Sequence, residues 1–213
     1  MIDKSSFKAI IFDMDGVLLD TEEAMIKASV EGFKDYGVTV SPEDFVPFFG
    51  TGSVKYFGGV AEKYGLSYSP ELATHMYNKY LEMAKDEVVI FPGVAGKIKE
   101  LHEAGFKIAV ASSAAGMKVY ANLEFAGIKK EWVDIVLTED DITKNKPDPE
   151  IFLKAAEAVG VDPSLCVVCE DSISGVMAAI SAGMKCVGIR GTYPEEKLVE
   201  NGAFIVLDGI VDL

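Results

Sequence analysis

Short apolar runs alternate with amphipathic helical patterns from residue 88 to residue 207. The apolar runs have the length of strands, whereas the patterns between them repeat their apolar residues every three or four positions. Strands that are apolar throughout are typical of a parallel sheet covered by helices on both faces. The chain is therefore predicted to have an α/β core built on a parallel sheet. The predicted strands in this part of the chain are 106–111, 135–137, 165–169, 186–189 and 204–207.

A different pattern separates the first predicted strand from these units. Residues 8–12 form an apolar run, and residues 21 to about 86 then show only helical periodicity, interrupted by Pro and Gly. A helical stretch placed directly after the first strand predicts an inserted unit. We therefore predict a core made of residues 1–20 and 88–213, with a small inserted helical cap domain made of residues 21–87.

Two carboxylates end the first predicted strand. Asp13 and Asp15 follow the apolar run directly, and Gly16 comes next. Side chains at positions i and i+2 of a strand point to the same side, roughly 6.6 Å apart, so both carboxylates can face one metal ion or one small anionic group. Two like charges this close raise one pKa, which suits a pair in which one member attacks and the other carries a proton. Asp and Gly are also common in turns, so this stretch alone leaves a simple turn equally open.

Further polar residues follow other predicted strands or precede a predicted helix. Ligand sites in open parallel sheets lie beyond the carboxyl ends of the strands. These residues are therefore predicted to converge with the two aspartates on one rim of the sheet. They are Ser112 and Ser113, Lys146, and Glu170 and Asp171.

Acidic residues outnumber basic residues in this chain of 213. There are 34 Asp and Glu against 20 Lys and Arg, which gives a formal net charge of −14. A field of this sign repels nucleic acid and anionic membrane surfaces, so we expect neither as a partner. Any phosphate site must be made attractive locally, by a metal ion, lysine and backbone N–H groups.

The N-terminal residues and the cysteines indicate the compartment. Residues 1–6 lack a basic segment followed by an apolar one, and no apolar run reaches the length of a membrane span. Cys166, Cys169 and Cys186 fit a reducing environment. Cys166 and Cys169 are three residues apart on a predicted strand and so face opposite sides, which prevents a disulfide or a shared metal. We therefore expect a cytoplasmic protein.

The predicted rim offers carboxylates and backbone carbonyls to a metal ion. Such hard oxygen ligands favour Mg²⁺ over zinc. His75 and His102 lie in helical stretches without a second His or Cys at ligand spacing, so neither a zinc site nor a Ser-His-Asp triad is indicated. The best candidate for covalent chemistry is a carboxylate nucleophile assisted by Mg²⁺ and lysine.

Four motifs, in this order along the chain, resemble those of the haloacid dehalogenase superfamily of phosphotransferases. They are Asp13-Met14-Asp15-Gly16, Ser112, Lys146-Pro147, and Glu170-Asp171 followed by Ser172 and Gly175. The resemblance spans nearly the whole chain and implies a Rossmann-like parallel-sheet core. The predicted cap resembles that of the β-phosphoglucomutase-like branch, in which it covers the active site.

The resemblance implies a role for each motif residue. Asp13 would attack phosphorus to give an aspartyl phosphate, and Asp15 would protonate the leaving oxygen and later activate water. Ser112 would hydrogen-bond the phosphoryl oxygens, and Lys146 would offset the charge on them and on Asp13. The residues implied to hold Mg²⁺ are Asp13, Asp171 and Asp15, the last through its backbone carbonyl. Glu170 is implied either to coordinate the ion or to contact one of its ligands.

Phosphatase and mutase activities both occur in that branch. A mutase must clamp a second phosphate, which the branch does with a cap arginine and a Ser-Lys-Asn set just after the motif serine. The aligned positions here are Ala114, Ala115 and Gly116, and the one arginine of the chain is Arg190, outside the predicted cap. We therefore predict a phosphatase that acts on a small phosphomonoester such as a sugar phosphate. A β-phosphoglucomutase-like mutase is one alternative, and a non-catalytic binding or regulatory module on the same fold is another.

Substrate contacts from the predicted cap are expected near residues 50–53, although an ordinary turn between helices fits this stretch as well. The hydroxyls of Thr51 and Ser53, together with Ser113 of the core, are candidate substrate contacts. Lys55 could replace the missing cap arginine, but an ammonium group lacks the planar fork that suits phosphate oxygens. The expected partner is a small phosphorylated metabolite, and the chain is expected to be monomeric.

Overall fold

The computed structural model describes residues 4–213, so residues 1–3 of the predicted core lie outside the described residues. The strands, in chain order, are β1 (Ala9–Phe12), β2 (Leu19–Asp20), β3 (Val89–Ile90), β4 (Lys107–Ala111), β5 (Ile135–Leu137), β6 (Cys166–Glu170), β7 (Lys185–Ile189) and β8 (Ile205–Leu207). The helices are α1 (Glu22–Asp35), α2 (Ser53–Lys63), α3 (Pro70–Glu87), α4 (Val94–Glu103), α5 (Gly116–Phe125), α6 (Glu150–Val159), α7 (Ile173–Ser181) and α8 (Glu195–Glu200).

Six strands form a parallel sheet in the order β5-β4-β1-β6-β7-β8, which confirms the predicted α/β core. β1 lies in the middle, and Phe12 pairs with Val110 of β4 on one side and Cys169 of β6 on the other. The carboxyl ends of these three strands therefore meet at the same edge. The residues that follow them are brought together by this register.

Both faces of the sheet are buried. Ile10 and Phe12 belong to one apolar cluster, whereas Ala9 and Ile11 belong to the cluster on the opposite face. The alternation follows from the two-residue repeat of a strand. It also separates Cys166 from Cys169, whose side chains lie in different clusters, as predicted. All three cysteines are free and buried.

A short antiparallel pair, β2 with β3, joins the two points where the chain leaves and re-enters the core. Leu19 pairs with Ile90, and Asp20 pairs with Val89. The apolar run at 88–91 contains β3, and this strand lies outside the main sheet. The reason is that its partner is the segment just before α1, and this pairing leaves Val89 and Ile90 exposed.

Residues 21–87, called the helical unit below, contain α1, α2 and α3 and no strand. These helices surround an apolar cluster of their own, which includes Phe33, Phe57 and Met76. The hydroxyl of the buried Tyr80 donates to Asn122 Oδ1 of α5 at 2.6 Å and so ties the unit to the core. The division into domains at residues 21 and 88 stays a prediction. None of the helices within residues 4–213 combines the length and the apolar character that crossing a bilayer requires.

Asp44 anchors the segment that leads from α1 to α2. Its Oδ2 accepts the Ser41 N–H at 2.9 Å and the Tyr64 hydroxyl at 2.6 Å, and its Oδ1 accepts Lys63 Nζ. The hydrogen bonds from Lys63 and Tyr64 lower the pKa of Asp44 to about 2. Since Phe48 and Phe49 follow on the same segment, this anchor helps to fix their positions.

Replacing Asp44 by asparagine should lower the free energy of unfolding at pH 7 by about 1.5–3 kcal/mol, since hydrogen bonds to a charged acceptor are lost. The folded-state pKa lies below the unfolded one, so this stabilisation is present above about pH 4 and is lost as the pH falls toward 2. Urea midpoints of both proteins at pH 7 and pH 2.5 measure the difference, with the exposed Glu62→Gln as control. A difference that does not shrink at low pH would refute the role of the ionised carboxylate.

Candidate active site

Lys146 lies between two carboxylates at the carboxyl ends of β1 and β6. Its Nζ is 2.5 Å from Asp13 Oδ1 and 2.6 Å from Glu170 Oε1, and it donates to the Ala111 carbonyl at 3.2 Å. All three charged side chains are buried. Burial alone would lower the pKa of Lys146, but the two carboxylates outweigh burial and raise it. The lysine therefore stays charged and offsets part of the negative charge here.

Two glycines provide the space that the carboxylates need. Gly16 has a φ of 77°, and a Cβ there would lie 2.1 Å from Asp171 Oδ2. A Cβ on Gly175 would lie 1.9 Å from the carboxyl carbon of Glu170. A side chain at either position would displace an acidic group, which explains why the turn after β1 and the first turn of α7 carry glycine.

Asp13, Glu170 and Asp171 each present one carboxylate oxygen within 4.8 Å of the others. Burial raises the pKa of Asp13 to about 7 against the opposing effect of Lys146, and burial also raises the pKa of Asp171 well above its ordinary value. Burial therefore disfavours the ionised carboxylates, and Lys146, which contacts Asp13 and Glu170, does not fully offset that cost. An all-oxygen donor set whose ionised form needs further positive charge fits a hard divalent cation such as Mg²⁺.

Neighbouring groups fix the orientation of these carboxylates. Glu170 Oε2 accepts the Ser172 N–H at 3.0 Å and the Ser172 hydroxyl at 2.9 Å. Asp171 accepts a hydrogen bond from the hydroxyl of Thr192. Glu170 thus accepts hydrogen bonds from both Lys146 and Ser172, whereas Asp13 and Asp171 each accept one from a side chain, of Lys146 and of Thr192 respectively.

The Asp15 side chain is not part of the acidic cluster. Its Oδ1 accepts the Thr21 hydroxyl at 2.5 Å and Lys118 Nζ at 2.8 Å, and 31% of the side chain is exposed. Asp15 therefore lies on the rim with one oxygen oriented by the protein and with access to a bound molecule.

The sequence pattern did not indicate Lys118, Thr21 or Thr192. Lys118 lies in the first turn of α5, the helix after Ser112, and Thr21 is the N-cap of α1. Their positions near strand ends on the predicted rim are the one feature of the local sequence that could have identified them as site residues. Lys118 is buried and also lies over the Tyr80 ring, 5.5 Å from its centroid, so its contacts come from distant parts of the chain.

A cavity of about 110 Å³ lies between this rim and the helical unit. Ser112 is buried at its floor, where its backbone N–H donates to the Leu137 carbonyl at 3.0 Å. The predicted residues that line the cavity are Asp13, Asp15, Thr51, Ser53, Ser112, Ser113, Lys146, Glu170 and Asp171. The hydroxyl oxygen of Ser113 is buried and accepts or donates no hydrogen bond within the described residues, so it is available to a bound group.

The loop at residues 50–53 packs against the core. The Ser53 N–H donates to Glu139 Oε2 at 3.0 Å, and a Cβ on Gly52 would meet the Asn145 amide nitrogen at 2.4 Å. The Thr51 hydroxyl donates to the Phe48 carbonyl at 2.7 Å. Residues 50–53 also line the cavity, as expected for the interpretation in which this loop faces the site, while the Thr51 contact is that of an ordinary turn.

Lys55 does not line the cavity, and its predicted substrate contact requires correction. It is exposed on α2, two residues after Ser53. Successive residues on a helix turn by about 100°, so Lys55 points roughly 200° away from Ser53 and toward solvent. Arg190 does not line the cavity either, and it is exposed and paired with Glu195 and Asp208.

Comparison with known proteins supports a family assignment. The model of the haloacid dehalogenase-like hydrolase family matches residues 10–189. The chain is 33% identical over 187 residues to pyrophosphatase PpaX of Bacillus velezensis, a match that covers 86% of this chain and 83% of that enzyme. It is 42% identical over 212 residues to the chloroplast protein SUPPRESSOR OF QUENCHING 1 of Arabidopsis thaliana, covering 98% of this chain but spanning only 20% of the plant protein.

A solved structure shows the same architecture. CbbY of Rhodobacter sphaeroides, crystallised as a point mutant in complex with xylulose-(1,5)-bisphosphate, superposes with a TM-score of 0.84 at 27% identity, over 97% of this chain and 96% of that chain. A complex of CbbY with phosphate is equally similar.

Proposed function

The chain belongs to the haloacid dehalogenase-like hydrolases, and we propose that it is a Mg²⁺-dependent phosphatase that hydrolyses a small phosphomonoester through an aspartyl phosphate on Asp13. The observation that carries this proposal is the contact of Asp13 with Lys146, with Asp15 on the same rim but outside the acidic cluster. A buried carboxylate beside a lysine suits a nucleophile, and a separately held, accessible carboxylate suits an acid or base.

The proposed reaction has two steps. In the first, a carboxylate oxygen of Asp13 bonds to phosphorus, the bond to the leaving oxygen breaks, and Asp15 gives that oxygen its proton. In the second, Asp15 takes a proton from water as the water oxygen attacks phosphorus, and the Asp13 carboxylate leaves. Phosphoryl transfer needs mainly positioning and charge neutralisation, which Lys146, Ser112 and Ser113 supply at the phosphoryl oxygens.

The proposed ligands of Mg²⁺ are Asp13, Asp171 and the backbone carbonyl of Asp15. Glu170 either coordinates the ion itself or hydrogen-bonds to one of its ligands. When bound, Mg²⁺ would supply positive charge next to the phosphoryl oxygens. Support comes from the oxygen-only donor set and from the presence of three clustered carboxyl groups beside one lysine, Lys146.

A mutase is less well supported. It must hold a second phosphate, and within the described part of the chain the residues of the helical unit that line the cavity include no lysine or arginine. A non-catalytic module would not need Asp13 and Lys146 together beside an accessible Asp15, since burying the charges of Asp13 and Lys146 costs stability.

Removal of divalent cations should reduce phosphate release from p-nitrophenyl phosphate by at least about 100-fold, because the metal contributes several kcal/mol to the stabilisation of transition-state charge. Release is measured after treatment with EDTA and again after Mg²⁺ is restored, with Ca²⁺ and Zn²⁺ compared at equal concentration. Equal rates with and without EDTA would contradict the metal role. No release under any condition would favour the non-catalytic module.

A further inference from the structure

Aromatic side chains of the helical unit form one continuous side of the cavity. This aromatic wall consists of Phe49, Tyr56, Phe57 and Tyr77. The ring centroids of Phe49 and Tyr56 are 6.4 Å apart, those of Tyr56 and Phe57 are 5.1 Å apart, and those of Phe57 and Tyr77 are 5.2 Å apart. Such contacts hold the rings in fixed orientations, so the wall is a preformed surface for a planar apolar group.

Phe57 and Tyr77 are fully or nearly fully buried, and Phe49 and Tyr56 are partly exposed. Phe57 and Tyr77 belong to the apolar cluster of the helical unit, and Phe49 and Tyr56 pack against it, so the wall is supported from behind by that cluster. Met25 and Phe48 add to the apolar lining.

The charged residues that line the cavity disfavour the binding of a second anionic group. The lysines among its lining residues are Lys118 and Lys146, and each is already paired with a carboxylate of the core. The ionisable carboxylate that the helical unit adds to the lining is Glu22. A phosphate or carboxylate at the far end of a substrate would therefore lose its water without gaining a cation, and Glu22 adds a further acidic group to the same lining.

We infer that the substrate carries a single phosphate on a neutral, ring-containing leaving group, and that the cavity selects against a second anionic group. This inference rests on the proposed phosphatase function and specifies the leaving group that it accepts. The phosphate lies at the acidic rim beside Lys146, and the ring of the leaving group stacks on the aromatic wall. The CbbY relative, by contrast, was crystallised with a bisphosphate.

Three synthetic phosphate esters test the inference. Benzyl phosphate carries a ring, methyl phosphate carries none, and 4-carboxybenzyl phosphate carries the ring and a second anionic group. With Mg²⁺ present, kcat/KM should be at least about 10-fold higher for benzyl than for methyl phosphate, and at least about 10-fold higher for benzyl than for 4-carboxybenzyl phosphate. Glucose 6-phosphate and glucose 1,6-bisphosphate give the same comparison on a sugar.

Two variants test whether the aromatic wall causes the preference for a ring and whether the charge of Glu22 contributes to the discrimination against a second anionic group. Phe49→Ala should reduce the ratio of benzyl to methyl turnover, and Glu22→Gln should reduce the discrimination against 4-carboxybenzyl phosphate. Tyr36→Ala is the matched control, because Tyr36 belongs to the same helical unit but is 40% exposed and lies outside the cavity. It should leave both ratios unchanged.

The outcomes separate this inference from the function on which it rests. Release of phosphate with equal kcat/KM for benzyl and 4-carboxybenzyl phosphate, or with a preference for the bisphosphate, overturns the inference and leaves the phosphatase in place. Absence of release from every ester overturns the proposed function and the inference together. Ratios that change as much in Tyr36→Ala as in Phe49→Ala also overturn the assignment to the wall.

Discussion

Replacing Asp13 by asparagine should reduce phosphate release by at least about 10⁴-fold, the scale seen when an enzyme loses its covalent nucleophile. The amide keeps the size and most contacts of the side chain, but it is a poor nucleophile toward phosphorus. The change also removes one of the oxygens offered to a cation by the buried acidic cluster. The loss should therefore be in kcat and should persist at saturating substrate and Mg²⁺.

The stability of Asp13→Asn distinguishes lost chemistry from lost folding. The variant removes one of three clustered acidic side chains, against which Lys146 supplies the opposing charge. In EDTA its melting temperature should therefore equal or exceed that of the unmodified protein, since repulsion between buried like charges is relieved. Asp86→Asn, at an exposed position of α3, is the matched control and should change neither activity nor melting temperature. Substantial phosphate release by folded Asp13→Asn would eliminate Asp13 as the nucleophile.

Replacing Lys146 by alanine should lower the free energy of unfolding by roughly 3–5 kcal/mol, because it leaves buried carboxylates without their partner. For a chain of this length the melting temperature should fall by roughly 10 °C. Activity should also be lost, since Lys146 Nζ lies 2.5 Å from Asp13 Oδ1 and offsets its charge. Differential scanning calorimetry in EDTA measures the first effect, and phosphate release at a temperature below the transition measures the second.

Mg²⁺ should restore part of the stability of Lys146→Ala. A cation held by Asp13, Glu170 and Asp171 would supply the positive charge that the variant lacks, so added Mg²⁺ should raise the melting temperature of the variant more than that of the unmodified protein. Lys154→Ala provides the control, because its ion pair with Glu150 is at the surface and contributes only about 0–1 kcal/mol. If Lys146→Ala melts like the control, the lysine does not stabilise the acidic cluster.

The core of the fold could be predicted because its signals are local. A strand buried on both faces is apolar along its whole length, and a helix packed against it is apolar on one side, so each element is visible within its own residues. The position of Asp13, Ser112 and Glu170 at the ends of such strands then follows from the parallel direction of the sheet, in which all carboxyl ends lie on one edge. The exceptions among the strands are β2 and β3, since each has two residues, too few for a periodic pattern, and takes its place by pairing with the other.

From the amino-acid sequence follow the sheet, the inserted helical stretch and the rim residues, including Lys146 near Asp13, which it reaches across 133 positions. Packing alone reveals that Lys118, 103 positions from Asp15, donates to its carboxylate. The same holds for the aromatic wall and for Lys55, which the turn of α2 directs away from the cavity. A periodic pattern tells which side of an element is buried. A contact between distant residues depends instead on how the elements pack, and that packing is set by the whole chain at once.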